Sequence, residues 1–206
     1  MKLGIIGAGK LGITLAQLAL KAGYEVAVSG SGDTQKIALS VKVLTPGAIA
    51  MTTKDVAQWA EVIILAIPLG KFRQLPVESL KGKIVIDATN HWPEVDGPRE
   101  EIIPETLSSS EAIQQFLPES RVVKAFSHMG YHELRDWARP AGSDERKALA
   151  LASDSNQATT NVAAIVSDLG FEPVILGSLS HGRILEPGQQ GFGLVTSATK
   201  LKELGN

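Results

Sequence analysis

The run Gly7-Ala8-Gly9-Lys10-Leu11-Gly12 constrains this chain more than any other feature, because of what stands on either side of it. Leu3-Gly4-Ile5-Ile6 precedes it as a short buried strand. From about Lys10 to Ala22, the apolar residues Leu11, Leu15, Leu18 and Ala22 share one helical face. Gly23 terminates that helix and Glu25 to Val28 supplies the next strand, which completes a βαβ unit. In such a unit the first glycine permits the tight turn, the second lets backbone approach a diphosphate, and the third lets the helix pack against the strand. The opening of the helix then offers unpaired N–H groups and a partial positive charge to an anion. Glycines also mark ordinary turns, so the pattern alone leaves a structural turn open. Its position between strand and helix favours a dinucleotide site. A P-loop is excluded by the missing Gly-Lys-Ser/Thr ending.

The alternation continues along the chain. Further strands are expected near Ala48–Met51, Val62–Ile67, Ile84–Asp87, Arg121–Ala125, Leu149–Ala152 and Glu172–Ile175. Helices are expected near Thr34–Ser40, Thr53–Trp59 and Asn156–Leu169. The fold class this predicts is α/β, a Rossmann-type doubly wound, mostly parallel sheet with helices on both faces. Residues 1–188 read as one NAD(P)-binding domain whose later strands extend the sheet, and 189–206 as a flexible or partner-packing tail. Because the arm Phe192–Leu204 has few evident local partners, a homodimer is expected. The segment His91–Ser110, rich in proline and charge, reads as a surface excursion over the site.

Composition narrows the partners. Twenty basic residues nearly balance 22 acidic ones, so no cationic field exists to hold nucleic acid or a lipid surface. There is no cysteine, which removes thiolate metal sites, disulfides and cysteine nucleophiles together. The start of the chain carries no signal-peptide pattern, and the longest apolar stretch, Val62 to Leu69, is far short of the ~20 residues that cross a bilayer. A cytoplasmic protein with a small-molecule partner is expected, with neither nucleic acid nor membrane. No metal site is expected, since His128 and His132 have no clear third ligand.

Cofactor choice turns on the end of the second strand, where NAD enzymes place a carboxylate for the ribose hydroxyls. Ser29, Gly30 and Ser31 stand there, followed by Gly32 and Asp33. Without an acid at the strand end a ribose phosphate is not repelled, which favours NADP(H). Lys36 is the nearest cation, with a solvated helix lysine as its plain reading. Asp33 keeps NAD(H) open.

Taken together, Gly7–Gly12, Ser29–Asp33, Leu65-Ala66-Ile67-Pro68, Ile86-Asp87-Ala88-Thr89-Asn90, Val122-Val123-Lys124-Ala125-Phe126 and Gly177-Ser178-Leu179 through Arg183-Ile184-Leu185-Glu186-Pro187 follow one another in a familiar order. On these pieces the chain resembles the deazaflavin-dependent NADP oxidoreductase family, whose Rossmann domain also occurs in six-transmembrane metalloreductases. The resemblance implies hydride exchange between NADP(H) and a deazaflavin, flavin or similar small acceptor. It implies that Ile67 and Pro68, with Ala66 before them, touch a ribose, and that Thr89, Asn90 and Ala125 line the nicotinamide pocket. Two departures stand out. Gly32 occupies the place of the family's arginine after serine, and Ser127 the place of its asparagine after phenylalanine. The alternative reading is a non-catalytic NADP(H)-binding or sensor module.

Hydride transfer between two rings needs alignment and exclusion of water more than a protein acid or base. If a proton donor is used, His128 is the first candidate, since it follows a strand at the sheet end where ligands bind. Its alternative is a packing histidine. Trp92 is a candidate for stacking on an acceptor ring, or simply a loop anchor. Asp87 reads as a structural brace.

Overall fold

The computed structural model describes residues 1–204. The chain runs β1 (Lys2–Ile6), α1 (Lys10–Lys21), β2 (Glu25–Ser29), α2 (Gln35–Leu44), β3 (Ile49–Ala50), α3 (Thr53–Trp59) and β4 (Val62–Leu65). A 3-10 turn, Leu69–Gln74, and the one-turn helix α4 (Val77–Leu80) lead to β5 (Ile84–Asp87). Two more single turns, α5 (Pro93–Asp96) and α6 (Arg99–Ile102), precede α7 (Ser109–Phe116) and β6 (Arg121–Lys124). Then come α8 (Tyr131–Trp137), β7 (Ala148–Leu151), α9 (Asn156–Asp168), β8 (Glu172–Ile175), a second 3-10 segment, Leu179–Leu185, and α10 (Ala198–Glu203).

Six strands form one parallel sheet in the order β3-β2-β1-β4-β5-β6. The uninterrupted apolar runs are explained by burial on both faces. Leu3, Ile5, Ile64, Ile86 and Val123 face Leu15 and Leu18 of α1 and Val162 and Ile165 of α9. The alternate residues Ile6, Ile63, Leu65, Val85 and Val122 face Val56 of α3, Leu80 of α4 and Ile113 of α7. This is the doubly wound α/β arrangement that the strand–helix alternation predicts.

Two features differ from the sequence reading. The strands β7 and β8 do pair in parallel, but as a separate two-stranded sheet. They meet β6 through one antiparallel bridge, in which Lys124 N donates to Ala152 O at 2.9 Å and Ala152 N to Lys124 O at 3.1 Å. The described part of the expected flexible tail is also folded onto its own chain. Gly193 N donates to His128 O at 2.7 Å, Ala148 N donates to Thr196 O at 2.8 Å, and Leu201 is fully buried with Val174 and Ala150. The small residues Ala148 and Ala150 leave one face of β7–β8 open to a covering helix, and α10 supplies it. A dimer argued from a partnerless arm therefore loses its reason. Asn206 and its neighbour at 205 lie outside the described residues.

No helix among the described residues is long and apolar enough to cross a membrane.

Candidate functional site

Strand order reverses between β1 and β4, and the helices that follow them leave toward opposite faces of the sheet. In open α/β sheets that switch point leaves a crevice at the carboxyl ends of the strands. A cleft of about 520 Å³ lies there, lined by Ile6, Gly7, Ala8, Gly9, Gly30, Ser31, Gly32, Thr53, Ala66, Ile67, Pro68, Lys71, Gln74 and Leu75.

The glycine turn forms the floor. Gly7 has φ +122°, and a side chain there would run into the backbone carbonyl of Ala66. Its N–H donates to Ser29 O at 2.8 Å, which ties the turn to the end of β2. A Cβ on Gly12 would collide with the carbonyl oxygen of Gly7, so α1 can sit this close to the turn only with glycine. Gly9 differs: a Cβ there would meet nothing within 4 Å. Its glycine answers to no protein neighbour, which is what a backbone reserved for a ligand looks like. No side chain caps α1, and its first turn carries no acid. The amides opening this helix are thus left for an anion.

One wall of the cleft is the loop after β2. Gly32 has φ +83°, and the Lys36 amine lies 3.8 Å from where its Cβ would be. Lys36 folds back over the position where the resembling family has arginine. Ser31, exposed, stands beside it. Asp33 is turned to local use, its Oδ1 accepting from Gln35 N at 2.9 Å. Ser29 is fully buried and its Oγ accepts from Thr53 Oγ1 at 3.2 Å, so it braces the floor rather than facing the cleft.

A second cluster lies at the crest of β5 and β6. Asp87 Oδ1 accepts from Thr89 N at 2.8 Å, and Asn90 Nδ2 donates to Ser127 O at 2.7 Å. The turn between Ala125 and Ser127 passes through Phe126 at φ +62°, a left-handed conformation rarely taken by a bulky residue. Three buried side-chain oxygens here have no protein partner: Thr89 Oγ1, Asn90 Oδ1 and Ser127 Oγ. Buried polar groups are normally paired, so three unpaired ones gathered at a strand crest stand out as a candidate polar socket.

The expected site residues thus fall into groups. Gly7, Ala8, Gly9, Gly30, Ser31, Gly32, Ala66, Ile67 and Pro68 line the cleft together. Lys10, Leu11 and Gly12 form the first helical turn behind it, and the Lys10 amine lies 5.3 Å from the Tyr131 ring centroid, directed at α8. Thr89 and Asn90 stand at the crest, Thr89 buried and Asn90 half-buried, and Ala125 is fully buried. His128 has to be withdrawn as a proton donor. It is fully buried, and its Nε2 accepts from Ala150 N at 3.1 Å, which joins the crest to β7. Burial pushes its pKa down to about 4, against a smaller upward pull from the Leu194 backbone. Trp92 is partly exposed and packs edge-on against Phe192, with ring centroids 5.8 Å apart.

Ile6, Thr53, Lys71, Gln74 and Leu75 also line the cleft and are not among the residues the sequence points to. Thr53 was legible only as a helix start, and a 3-10 turn has no apolar period to betray which of its side chains face inward. The excursion His91–Ser110 is pinned beside that turn by Asp96, whose Oδ1 accepts from Gly70 N and Oδ2 from Trp92 N, each at 2.9 Å.

A parallel sheet in this order, with an uncapped glycine turn at its switch point, defines a Rossmann-type α/β protein. Comparison with known proteins narrows the class. Residues 2–91 match the family described as NADP oxidoreductase coenzyme F420-dependent. The chain is 30% identical over 145 residues to the F420-dependent NADP reductase of Methanocaldococcus jannaschii, covering 67% of this chain and 63% of that protein. It is 29% identical over 190 residues to metalloreductase STEAP3 of Rattus norvegicus, covering 90% of this chain and 36% of that protein. It thus spans about a third of the metalloreductase's length and under two thirds of the reductase's. A crystal structure of a hypothetical protein, SMa0349 from Sinorhizobium meliloti, superposes with a TM-score of 0.80 at 27% identity over 96% of this chain and 95% of that one. The resemblance to the deazaflavin-dependent NADP oxidoreductases and to the metalloreductases holds.

Proposed function

We propose that this chain is an NADP(H)-dependent oxidoreductase that exchanges hydride between NADP(H) and a deazaflavin or flavin-like small acceptor. The observation that carries this reading is the cleft at the β1/β4 switch point, where unclaimed helix amides meet a wall formed by Gly30, Ser31 and Gly32, with the Lys36 amine standing beside Gly32 just outside the lining. The residues fit the cofactor. The first turn of α1 would hold the diphosphate, Ser31 and Lys36 the ribose phosphate, and Ile67 and Pro68 a ribose. Thr89, Asn90 and Ser127 offer unpaired polar atoms of the kind a nicotinamide carboxamide needs. Bound there, the reduced nicotinamide would supply the hydride, and the protein's part is to bind, align and exclude water. No side-chain acid is required of it: with His128 buried, the proton that accompanies reduction of the acceptor comes from solvent.

The deazaflavin is carried over from the reductase that the chain resembles, whose name includes F420. A second reading, a non-catalytic NADP(H) sensor, draws on the burial of His128 and on a cleft whose one titratable lining side chain is Lys71. One experiment decides between them. NADPH and NADH affinities are measured for the wild type and Lys36→Ala, and NADPH oxidation is then followed with deazaflavin, flavin and quinone acceptors. Lys36→Ala is preferred to an arginine at position 32, because the φ of Gly32 would strain any side chain. The expected result is a preference for NADPH that falls about tenfold in the variant, equivalent to about 1.4 kcal/mol, with turnover on at least the deazaflavin. Binding without turnover on any acceptor selects the sensor, and no binding at millimolar nucleotide removes both.

A further inference from the structure

Lys124 is the last residue of β6, and its side chain is fully buried. Its ammonium donates to Asp87 Oδ2 at 3.2 Å, to Thr89 O at 2.7 Å and to Ser109 Oγ at 3.2 Å. All three of its protons are thereby used. Asp87, also fully buried, accepts from Thr89 N at 2.8 Å through Oδ1 and from Ser110 Oγ at 2.6 Å through Oδ2. The pair therefore holds the peptide groups of Thr89 at both its N–H and its C=O. The stem of Lys124 reaches this place past Gly182, where a Cβ would come within 3.1 Å of it.

Stability alone does not account for such a pair. Taking two charges out of water is expensive, and an apolar pair of similar volume commonly serves a core as well or better. What a fully satisfied ion pair adds is a fixed direction for every group it touches. Here those groups are the backbone on which the unpaired Thr89 Oγ1 and Asn90 Oδ1 are mounted.

We propose that Lys124 and Asp87 are positioning residues, whose buried ion pair sets the Thr89–Asn90 backbone so that the crest socket matches the nicotinamide end of the cofactor. The proposal rests on the dinucleotide reading above and deepens it. Lys124 touches no ligand and acts through Thr89. Its effect is confined to the reactive end of the site, since the diphosphate and ribose-phosphate walls belong to β1, β2 and α1.

That confinement gives the test. Affinity is measured by calorimetry for NADPH and for 2′-phospho-ADP-ribose, which has every part of NADPH except the nicotinamide. The proteins are the wild type, Lys124→Met, and the double variant Asp87→Asn/Lys124→Met, which leaves no lone buried charge. Expected is a loss of about tenfold for NADPH in both variants, equivalent to about 1.4 kcal/mol, with the fragment unchanged within about twofold. Equal loss for both ligands, or loss for neither, overturns the proposal. A double variant that no longer folds assigns the pair to stability and also overturns it. A wild type that binds the fragment but not NADPH more tightly removes the crest socket, whereas a wild type that binds neither ligand removes the dinucleotide reading itself.

Discussion

Two of the parallel βαβ units, β1-α1-β2 and β7-α9-β8, treat the opening of their helix in opposite ways. In the first, Gly9 stands at the N-cap with no side chain offered to the helix amides. In the second, Ser155 Oγ accepts from Ala158 N at 3.3 Å, and the adjoining Asp154 Oδ1 accepts from Leu179 N at 2.8 Å. Ser153 Oγ in turn donates to Val122 O at 2.7 Å. The same topology thus leaves the helix amides open where the loop is glycine and closes them into a structural corner where it is Ser-Asp-Ser. Local topology supplies the geometry, and the loop's own side chains decide whether a ligand or the protein uses it.

The largest expected effect breaks the first unit outright. Gly12→Ala gains about 1 kcal/mol of helix propensity, but its methyl meets the Gly7 carbonyl, a backbone atom that no rotamer change can move. A net loss of roughly 3 kcal/mol or more is expected in urea unfolding. A variant as stable as the wild type would show that α1 can slide away from the turn.

Acid tests the seam between the units next. His128 carries its proton in the unfolded chain near pH 6.5 but, in the fold, only near about 4. Below the higher value the unfolded state binds more protons, so stability is lost as pH falls through that window. The slope approaches about 1.4 kcal/mol per pH unit. His128→Gln, measured by urea unfolding at several pH values, should flatten that slope; an unchanged slope would assign the acid sensitivity elsewhere.

The contrast is sharpest in a pair of small substitutions. Gly9→Ala has open space around it, so thermal stability should hold while NADPH affinity falls at least about tenfold, or about 1.4 kcal/mol. Ser155→Ala should do the reverse, with a loss of about 1 kcal/mol in stability and no change in affinity. If both variants affect the same property, the two loops do not divide the roles as described.

Much of this division was legible in the sequence. Ile84–Asp87, Glu172–Ile175 and Thr53–Trp59 have the bounds that the sequence predicts; for the first, burial on both faces leaves little ambiguity, and the third is marked by its cap. Strand β4 was read two residues too long, since Pro68 looked like its end while the chain already turns at Ala66. The glycine turn was readable because a βαβ unit dictates its spacing. His128 was misjudged for a definite reason: its place after a strand end is visible in sequence, but its burial under the returning tail depends on Leu194, far along the chain. Lys124 likewise gave no sign of its role, because its partners Asp87, Thr89 and Ser109 come from two stretches distant from it in sequence.

The returning arm also bears on the order in which the molecule can assemble during synthesis. All six strands of the main sheet have left the ribosome once residue 124 is out, whereas the apolar side of β7–β8 stays only partly covered, by Leu185 and its neighbours, until Leu201 emerges. Nascent chains paused in that interval would expose a greasy two-stranded ledge, and there a chaperone would find its foothold.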